Sequence, residues 1–145
     1  MIIVKHIDAS ETYELRQKIL RPKQTIEDCK YPSDYESSSF HLGAFLHDKL
    51  ISIASFSKES SPYLPGRLHY RLRGMATLTN FRKQHAGSSL IQQAKVILQE
   101  RQAHMLWCNA RITVTNYYKH LGFYEYGEIF HIHPIGPHIL MYTIL

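Results

Sequence analysis

The sequence has few cysteines, no long apolar run and no cluster of basic residues, and each scarcity excludes a class of protein. Its two cysteines, Cys29 and Cys108, stand far apart and form no CxxC pair, which argues against a disulfide framework, a redox motif or a zinc motif. No apolar stretch approaches the roughly 18 residues of a membrane span. The start, MIIVKHIDAS, has too few consecutive apolar residues for a signal peptide. These absences predict a cytoplasmic protein with reduced thiols.

The charge of the chain is moderately basic and is spread along its length. Lys and Arg number 17 against 12 Asp and Glu, which gives a formal net charge of +5. The surface therefore favours anionic partners. No run of five or more basic residues is present, so we expect a nucleotide-like ligand rather than nucleic acid or a membrane surface. Residues 1–145, of which 44% are apolar, are predicted to form one domain with its own core.

The first residues predict an edge strand followed by a capped helix. In a strand over residues 1–7, Ile3 and Ile7 are suited to one face. Asp8, followed three residues later by Glu11, matches a capping box, in which the carboxylate of the second residue reaches back to the start of the helix. An amphipathic helix is therefore expected immediately after this strand.

The next segments predict a hairpin between two loops. Pro22 ends the first helix, because proline cannot continue the hydrogen-bond ladder. Two apolar runs at residues 40–46 and 50–56, separated by three polar residues, are typical of a β-hairpin. Segment 22–39 is polar and contains prolines, so we expect a surface loop or a short broken helix, and segment 57–66 is a turn-rich connection with two prolines. Both are expected to border a substrate mouth.

Residues 67–98 combine a strand, a polar loop and an amphipathic helix. Apolar residues alternate from Leu68 until the phase slips by one residue beside Gly74. This slip predicts a β-bulge that frees backbone groups for a ligand, or alternatively a strand that ends near Gly74. Residues 81–89 place two cations, a glycine and two serines where the helix begins, and a helix start attracts anions, above all phosphates. The helix itself is predicted by a stripe of apolar residues at helical spacing, Leu90, Ile91, Ala94, Ile97 and Leu98.

The last third predicts the remaining strands of a mixed sheet. Residues 104–110 form a compact apolar run that is typical of a buried central strand. A short helix over residues 115–121 is ended by Gly122, and residues 123–130 and 138–145 supply two closing strands. Strand, helix and strand in succession imply a right-handed crossover between parallel strands, whereas the hairpin and the closing strands are antiparallel.

Two motifs in these segments resemble the GNAT superfamily of acetyl-CoA-dependent N-acetyltransferases. Residues 82–87, Arg-Lys-Gln-His-Ala-Gly, are similar to the family's loop Arg/Gln-x-x-Gly-x-Gly/Ala, which opens a helix. Residues 114–123 are similar to its second element, Ala-x-x-Phe-Tyr-x-x-x-Gly-Phe. The resemblance implies an α/β (α+β) fold. Its mixed, mostly antiparallel central sheet is expected to have about six to seven strands, with a splayed parallel pair and about four flanking helices.

The resemblance also implies a reaction, the transfer of the acetyl group of acetyl-CoA to a primary amine of a small molecule by direct attack. Tyr118 matches the family's tyrosine general acid, while Tyr117 is assigned to core packing. Backbone N–H groups of Met75 and Ala76 are implied to polarise the thioester carbonyl. The residues assigned to acetyl-CoA on this basis are Met75, Ala76, Thr77, Arg82, Lys83, Gln84, His85, Ala86, Gly87, Ser88, Ser89, Asn109 and Asn116.

Three residues depart from the family's pattern at these motifs. His85 stands where the family has its first glycine, and a non-glycine residue at positive φ costs about 1 kcal/mol. Val114 replaces a small residue, and Arg111 stands where an asparagine is common. These departures affect the detailed contacts with the cofactor.

The base that deprotonates the amine stays open at this point. Family members often use a glutamate on the splayed strand, but residues 68–78 contain no carboxylate. The candidates are His69, His138 and a water relayed by backbone carbonyls. Because the carboxylate is missing and His85 departs from the motif, a non-catalytic acyl-CoA-binding or sensor domain is the alternative function.

The acceptor, metals and assembly are less constrained by the sequence. Several carboxylates in the two loops would suit a cationic amine: Glu27, Asp28, Asp34, Glu36 and Glu59. His131, His133 and His138 lie near one another in sequence, but no cysteine or carboxylate completes a ligand set, so no metal is expected. Cys108 on a buried strand is expected to be a core residue rather than a nucleophile. A homodimer is a possibility that the family resemblance leaves open.

Overall fold

Seven strands form one mixed sheet in the order β1-β2-β3-β4-β5-β7-β6, in a computed structural model that describes all 145 residues. All neighbouring strands are antiparallel except β4 and β5, which are parallel. The predicted mixed sheet is confirmed. The strands are β1 (Ile2–Ile7), β2 (Phe40–Leu46), β3 (Lys49–Lys58), β4 (His69–Thr77), β5 (Met105–Arg111), β6 (Tyr124–Ile132) and β7 (Gly136–Ile144).

Helices cover both faces of the sheet. The N-terminal helical segment consists of a 3-10 turn (Ala9–Thr12), the α-helical turn α1 (Tyr13–Leu15) and a π-helical turn (Arg16–Leu20). The longest helix is α2 (Ala86–Glu100), and α3 (Thr115–His120) is short. Four further 3-10 turns lie at Glu27–Cys29, Pro32–Tyr35, Thr79–Phe81 and Ile112–Val114. None of the helices has the length and apolarity that crossing a membrane requires.

Apolar burial fixes which helix covers which face. The stripe of α2, including Leu90, Ala94 and Leu98, packs in the main core with residues of the central strands. On the opposite face, Leu15 of α1 packs in a smaller cluster against Ile53 of β3. The sheet is therefore enclosed by α2 on one side and by the N-terminal helical segment on the other.

The local signals of the first half are confirmed, with one exception. The Glu11 carboxylate accepts a hydrogen bond from the Asp8 amide at 2.7 Å, as a capping box requires. The hairpin turns at His47 and Asp48, both with positive φ. The predicted facing of β1 is wrong at Ile3, which is 51% exposed because the neighbouring positions of the strand pack on the core instead.

The parallel strands separate soon after they meet. Only His69–Arg71 of β4 pair with Met105–Trp107 of β5, although β4 continues to Thr77 and β5 to Arg111. Against β3, the register shifts so that Ile53 faces Ala76 while Ser55 faces Arg73, which is the predicted bulge. Gly74 within it has φ +61°. The bulge turns β4 away from β5 and opens a gap in the sheet.

Candidate active site

A cleft of about 860 Å³ occupies the gap between β4 and β5. One end lies at the start of α2, and the other lies beside the N-terminal helical segment and the turn between β6 and β7. The first is called the loop end here and consists of residues 82–88. The second is called the acceptor end and is lined by Ile19, Leu20, Arg21, Tyr31, Arg71, Arg73, Arg111, Ile132, Ile135 and His138.

The loop end presents a helix start and two cations to the cleft. Helix α2 begins at Ala86, so the predicted loop is shorter than residues 81–89 and its serines belong to the first helical turn. Arg82 and Lys83 both line the cleft. His85 caps the helix with φ +61°, the left-handed conformation that its motif position predicts. Unpaired amides of the first turn together with these cations form a site suited to a phosphate.

Gly87 provides the closest approach at this end. A Cβ built on this residue would overlap the hydroxyl oxygen of Tyr117 and would lie 3.0 Å from the Met75 methyl. The Tyr117 ring can therefore lie against the first turn of α2 only because residue 87 has no side chain.

The structure brings most of the predicted cofactor residues together. Those that line the cleft are Met75, Ala76, Thr77, Arg82, Lys83, His85, Ala86, Gly87, Ser88 and Asn109. Gln84, Ser89 and Asn116 do not line it. The Ser89 hydroxyl instead donates to the His85 carbonyl at 2.8 Å, and the carbonyl of Asn116 accepts from the ring of His120.

The two tyrosines of α3 both line the cleft, in different ways. Tyr118 is half-buried and packs edge-on against Phe123, with 5.5 Å between ring centroids. Burial raises the pKa of Tyr118 well above 10, so its phenol stays protonated. The assignment of Tyr117 to core packing is wrong, because this side chain is 43% exposed and its hydroxyl contacts Gly87.

Cys108 lies in the main core below the same cleft. Desolvation raises the pKa of its thiol to about 12, so the sulfur is protonated and poorly nucleophilic at neutral pH. This agrees with the prediction that Cys108 is a core residue.

Of the two candidate base histidines, only one reaches the cleft. His69 is buried elsewhere, where its ring accepts a hydrogen bond from the Ser61 amide and donates to the Pro65 carbonyl. His138 lines the acceptor end, and its Nδ1 lies 2.7 Å from the Gly136 carbonyl oxygen. Because a carbonyl can only accept, Nδ1 carries a proton, and in the neutral ring the lone pair therefore lies on Nε2. His138 is thus left in the tautomer that a base needs.

The acceptor end is basic, which contradicts the expectation of a border that suits a cationic amine. No Asp or Glu lines any part of the cleft, whereas Arg21, Arg71, Arg73 and Arg111 all line this end. The loop carboxylates have other partners or face solvent. Asp34 pairs with Arg16, Glu59 with Arg71 and Glu27 with Lys30; Asp28 accepts from Thr25, and Glu36 is exposed.

Comparison with known proteins identifies the chain. Residues 7–123 match the Acetyltransferase (GNAT) family. The chain belongs to the GNAT family. It is 53% identical over 145 residues to a protein of Bacillus subtilis (strain 168) described as the uncharacterized N-acetyltransferase YitI, covering 100% of this chain and 97% of that protein. The resemblance seen in the sequence is thereby confirmed, and the protein is an acyltransferase of the GNAT type.

Two solved structures share the fold. Escherichia coli ElaA superposes with a TM-score of 0.73 at 18% identity, over 99% of each chain. An aminoglycoside 6′-N-acetyltransferase complexed with coenzyme A superposes with a TM-score of 0.77 at 12% identity, over 98% of this chain and 96% of that one. At these identities the likeness establishes the fold alone.

In this GNAT chain, sequence reasoning missed the basic residues of the acceptor end. Arg71 and Arg73 alternate with the apolar residues of β4, so their common face was readable from the strand period. Tyr31 lies in a loop without periodicity and carried no such signal. The histidines considered for a metal do not converge, and no group of three His, Cys, Asp or Glu side chains has a metal-ligating arrangement.

Proposed function

We propose that this GNAT protein transfers the acetyl group of acetyl-CoA to a primary amine of a small molecule by direct attack. One observation carries the proposal: a single cleft is lined at one end by a helix start suited to an anion and at the other by the N-terminal helical segment on the opposite face of the sheet. A donor and an acceptor can therefore approach the same gap from opposite sides. The cytoplasm is the expected location, which agrees with two free cysteines.

The residues of the loop end fit coenzyme A. Backbone amides at the start of α2, with Arg82 and Lys83, are suited to its pyrophosphate, which would reach the backbone at Gly87 once the Tyr117 hydroxyl moves aside. A coenzyme A complex of an aminoglycoside 6′-N-acetyltransferase with this fold supports an acyl-CoA donor. When bound, acetyl-CoA supplies an acetyl group activated as a thioester. Met75 lies in the bulge of β4 without a register partner on β3, so its amide is suited to polarise a carbonyl, whereas Ala76 is paired with Ile53.

Tyr118 is the proposed proton donor. Its phenol lines the cleft between the splayed strands, and burial keeps it protonated at physiological pH. It can therefore donate a hydrogen bond to a sulfur that becomes negative as it departs. Because Cys108 is also protonated, the chain offers no thiolate for an acyl-enzyme, which favours direct attack.

His138 is the proposed proton acceptor for the amine. Its Nε2 lone pair is fixed by the hydrogen bond at Nδ1, and the ring lines the acceptor end. The other side chains of the cleft offer no carboxylate for this task.

The test is release of free thiol from acetyl-CoA in the presence of a panel of amines, followed with a chromogenic thiol reagent. Tyr118→Phe is expected to lower turnover by about 100-fold or more while acetyl-CoA binding stays nearly unchanged. Tyr117→Phe is the matched control, because its hydroxyl also lines the cleft but lies at Gly87. If Tyr118→Phe turned over like the unsubstituted protein, Tyr118 would not be the acid.

A non-catalytic acyl-CoA sensor is the second candidate, and the absence of any carboxylate in the cleft is the observation that favours it. Calorimetry separates the two functions. Tight binding of acetyl-CoA without thiol release for any amine would support the sensor and contradict the transferase.

A further inference from the structure

The four arginines of the acceptor end differ in whether the protein satisfies their charge. Arg71 pairs with Glu59 at 3.2 Å. Arg21 donates to the Gln24 side chain at 3.0 Å, and Arg111 donates to the Leu20 carbonyl at 3.0 Å. Arg73 takes part in none of the ion pairs or hydrogen bonds that side chains make in this protein. Its guanidinium is free to bind something else.

Arg73 is nevertheless held in a fixed place. Its guanidinium carbon lies 4.2 Å from the centroid of the Tyr31 ring, so the planar group stacks on the aromatic face. Burial lowers the pKa of Arg73, and repulsion from Arg71 lowers it further. A half-buried cation that has lost part of its hydration without gaining an acceptor is unfavourable unless a ligand supplies one.

The chemistry of that ligand follows from the group. A guanidinium presents two parallel N–H donors that match the two oxygens of a carboxylate. The Arg73 side chain shares a face of the sheet with Arg71, beside Arg111 and His138 of the neighbouring strands across the gap. The loop end has its own cations, Arg82 and Lys83, for the phosphates of a donor. The acceptor end is thus a separate anion site.

We propose that the acceptor is an amine that carries its own carboxylate, as an amino acid does, and that Arg73 binds this carboxylate. The inference rests on the proposed acetyl transfer and specifies its substrate class. Polyamines and other purely cationic amines are excluded as good acceptors, because no carboxylate in the cleft could balance their charge.

The same positive charges help to prepare the amine for attack. An ammonium group near Arg21 and Arg111, which pair with no carboxylate, has a lowered pKa, because like charges disfavour its protonated form. A larger fraction of the bound amine is then neutral at physiological pH. The proton that the ammonium form loses can pass to Nε2 of His138. This accounts for a cleft that deprotonates an amine without a carboxylate base.

The experiment compares matched acceptors. Each of a panel of amino acids is tested with its amide and its decarboxylated amine, and kcat/KM is measured by thiol release. The free acid is expected to be preferred by about tenfold or more, since a charge-assisted pair contributes at least that factor. Arg73→Gln is expected to abolish the preference, Arg73→Lys to retain part of it, and Arg67→Gln, an exposed arginine outside the cleft, to leave it intact.

A preference for amides or polyamines would overturn the proposal and leave acetyl transfer standing. A preference for acids that persists in Arg73→Gln would overturn the proposal in the same way, since Arg73 would then not be the group that binds the carboxylate. Calorimetry of acids and amides with coenzyme A present gives a readout independent of turnover. If no amine is acetylated, the proposed transfer fails, and acid binding that Arg73→Gln abolishes still supports the carboxylate site. Equal binding of acid and amide overturns it.

Discussion

Two arginines stack on the same tyrosine, and only one of them is paired. The guanidinium carbons of Arg16 and Arg73 lie 4.0 and 4.2 Å from the centroid of Tyr31. Arg16 is completely buried and forms a bidentate salt bridge with Asp34. It also donates hydrogen bonds to the Cys29 carbonyl and the Ser55 hydroxyl. Only its Nε lacks a partner. Arg73 has no such partner at all.

The difference separates a group that holds the fold from a group available to a ligand. A buried cation such as Arg16 is tolerated because the chain provides its counter-charge, and removal of that partner leaves an uncompensated charge. Arg73 lies at the cleft, where a ligand can provide the counter-charge. The Arg16–Asp34 pair beneath the cleft is therefore expected to govern the stability of the fold. Arg73, inside the cleft, is expected to govern ligand binding.

The largest expected effect is on the buried pair. Asp34→Ala leaves Arg16 buried without its carboxylate and is expected to lower the free energy of unfolding by about 3–5 kcal/mol. Arg73→Gln removes a cation that has no partner in the protein, so its free energy of unfolding is expected to change by less than about 1 kcal/mol. Urea denaturation measures both. Similar losses in the two variants would show that Arg73 also holds the fold.

Two glycines extend the same comparison at a smaller magnitude. In Gly74→Ala the new Cβ would lie 2.9 Å from Nε of Arg16 at a residue with φ +61°, so a loss of about 1–3 kcal/mol is expected. Gly87→Ala lies in the first turn of α2, where its Cβ would overlap the Tyr117 hydroxyl, so this ring must move and a loss of about 1 kcal/mol is expected. Its acetyl-CoA affinity is expected to fall by about tenfold, because the methyl group occupies the approach to the backbone.

A double variant tests the origin of that loss. Gly87→Ala combined with Tyr117→Phe removes the hydroxyl that the new methyl group would displace. If the double variant binds acetyl-CoA as tightly as the unsubstituted protein, then Gly87→Ala lowers the affinity by displacing Tyr117. Blocked access to the backbone would not be the cause. Calorimetry with acetyl-CoA measures each variant.

The smallest effect is a pH dependence of stability from the network around the buried pair. His41 lies 2.7 Å from the Ser55 hydroxyl and donates through Nε2 to the Asp34 carbonyl at 3.2 Å. Burial lowers the pKa of His41 below its ordinary value of 6.5, so the folded protein favours the neutral ring. The unfolded chain takes up a proton near pH 6.5, and stability is expected to fall as the pH drops below that value.

The slope of the free energy of unfolding against pH shows whether His41 is the residue that titrates. One proton contributes at most about 1.4 kcal/mol per pH unit, and His41→Gln is expected to reduce the slope by the share that belongs to His41. Urea denaturation between pH 5 and pH 8 measures it. An unchanged slope in His41→Gln would assign the titration to another histidine.

Much of the architecture followed from short-range signals. The capping box at Asp8, the hairpin after β2, the bulge at Gly74 and the helix start at residues 82–87 each depend on residues within a few positions of one another. Such signals are readable because their energies come from local backbone geometry and the period of the strand or helix. The GNAT resemblance had the same basis, since both motifs are continuous in sequence.

The acceptor end could not be read in that way. It joins Tyr31 from a loop, Arg73 from β4 and His138 from β7, which come together only when the sheet forms. Carboxylates in the loops appeared to favour a cationic acceptor, but pairing with Arg16, Lys30 and Arg71 removes three of them from consideration. Charge counted along a chain does not record which charges neutralise each other.

The sequence by itself determined the fold, the GNAT family and the position at which helix α2 begins, because each is encoded in contiguous residues with a fixed period or motif. Tertiary structure alone decided that Arg16 is paired and Arg73 is not, that Tyr117 contacts Gly87, and that the cleft contains no carboxylate. The physical reason is that pairing, burial and desolvation depend on distances between residues far apart in the chain, and only folding sets those distances.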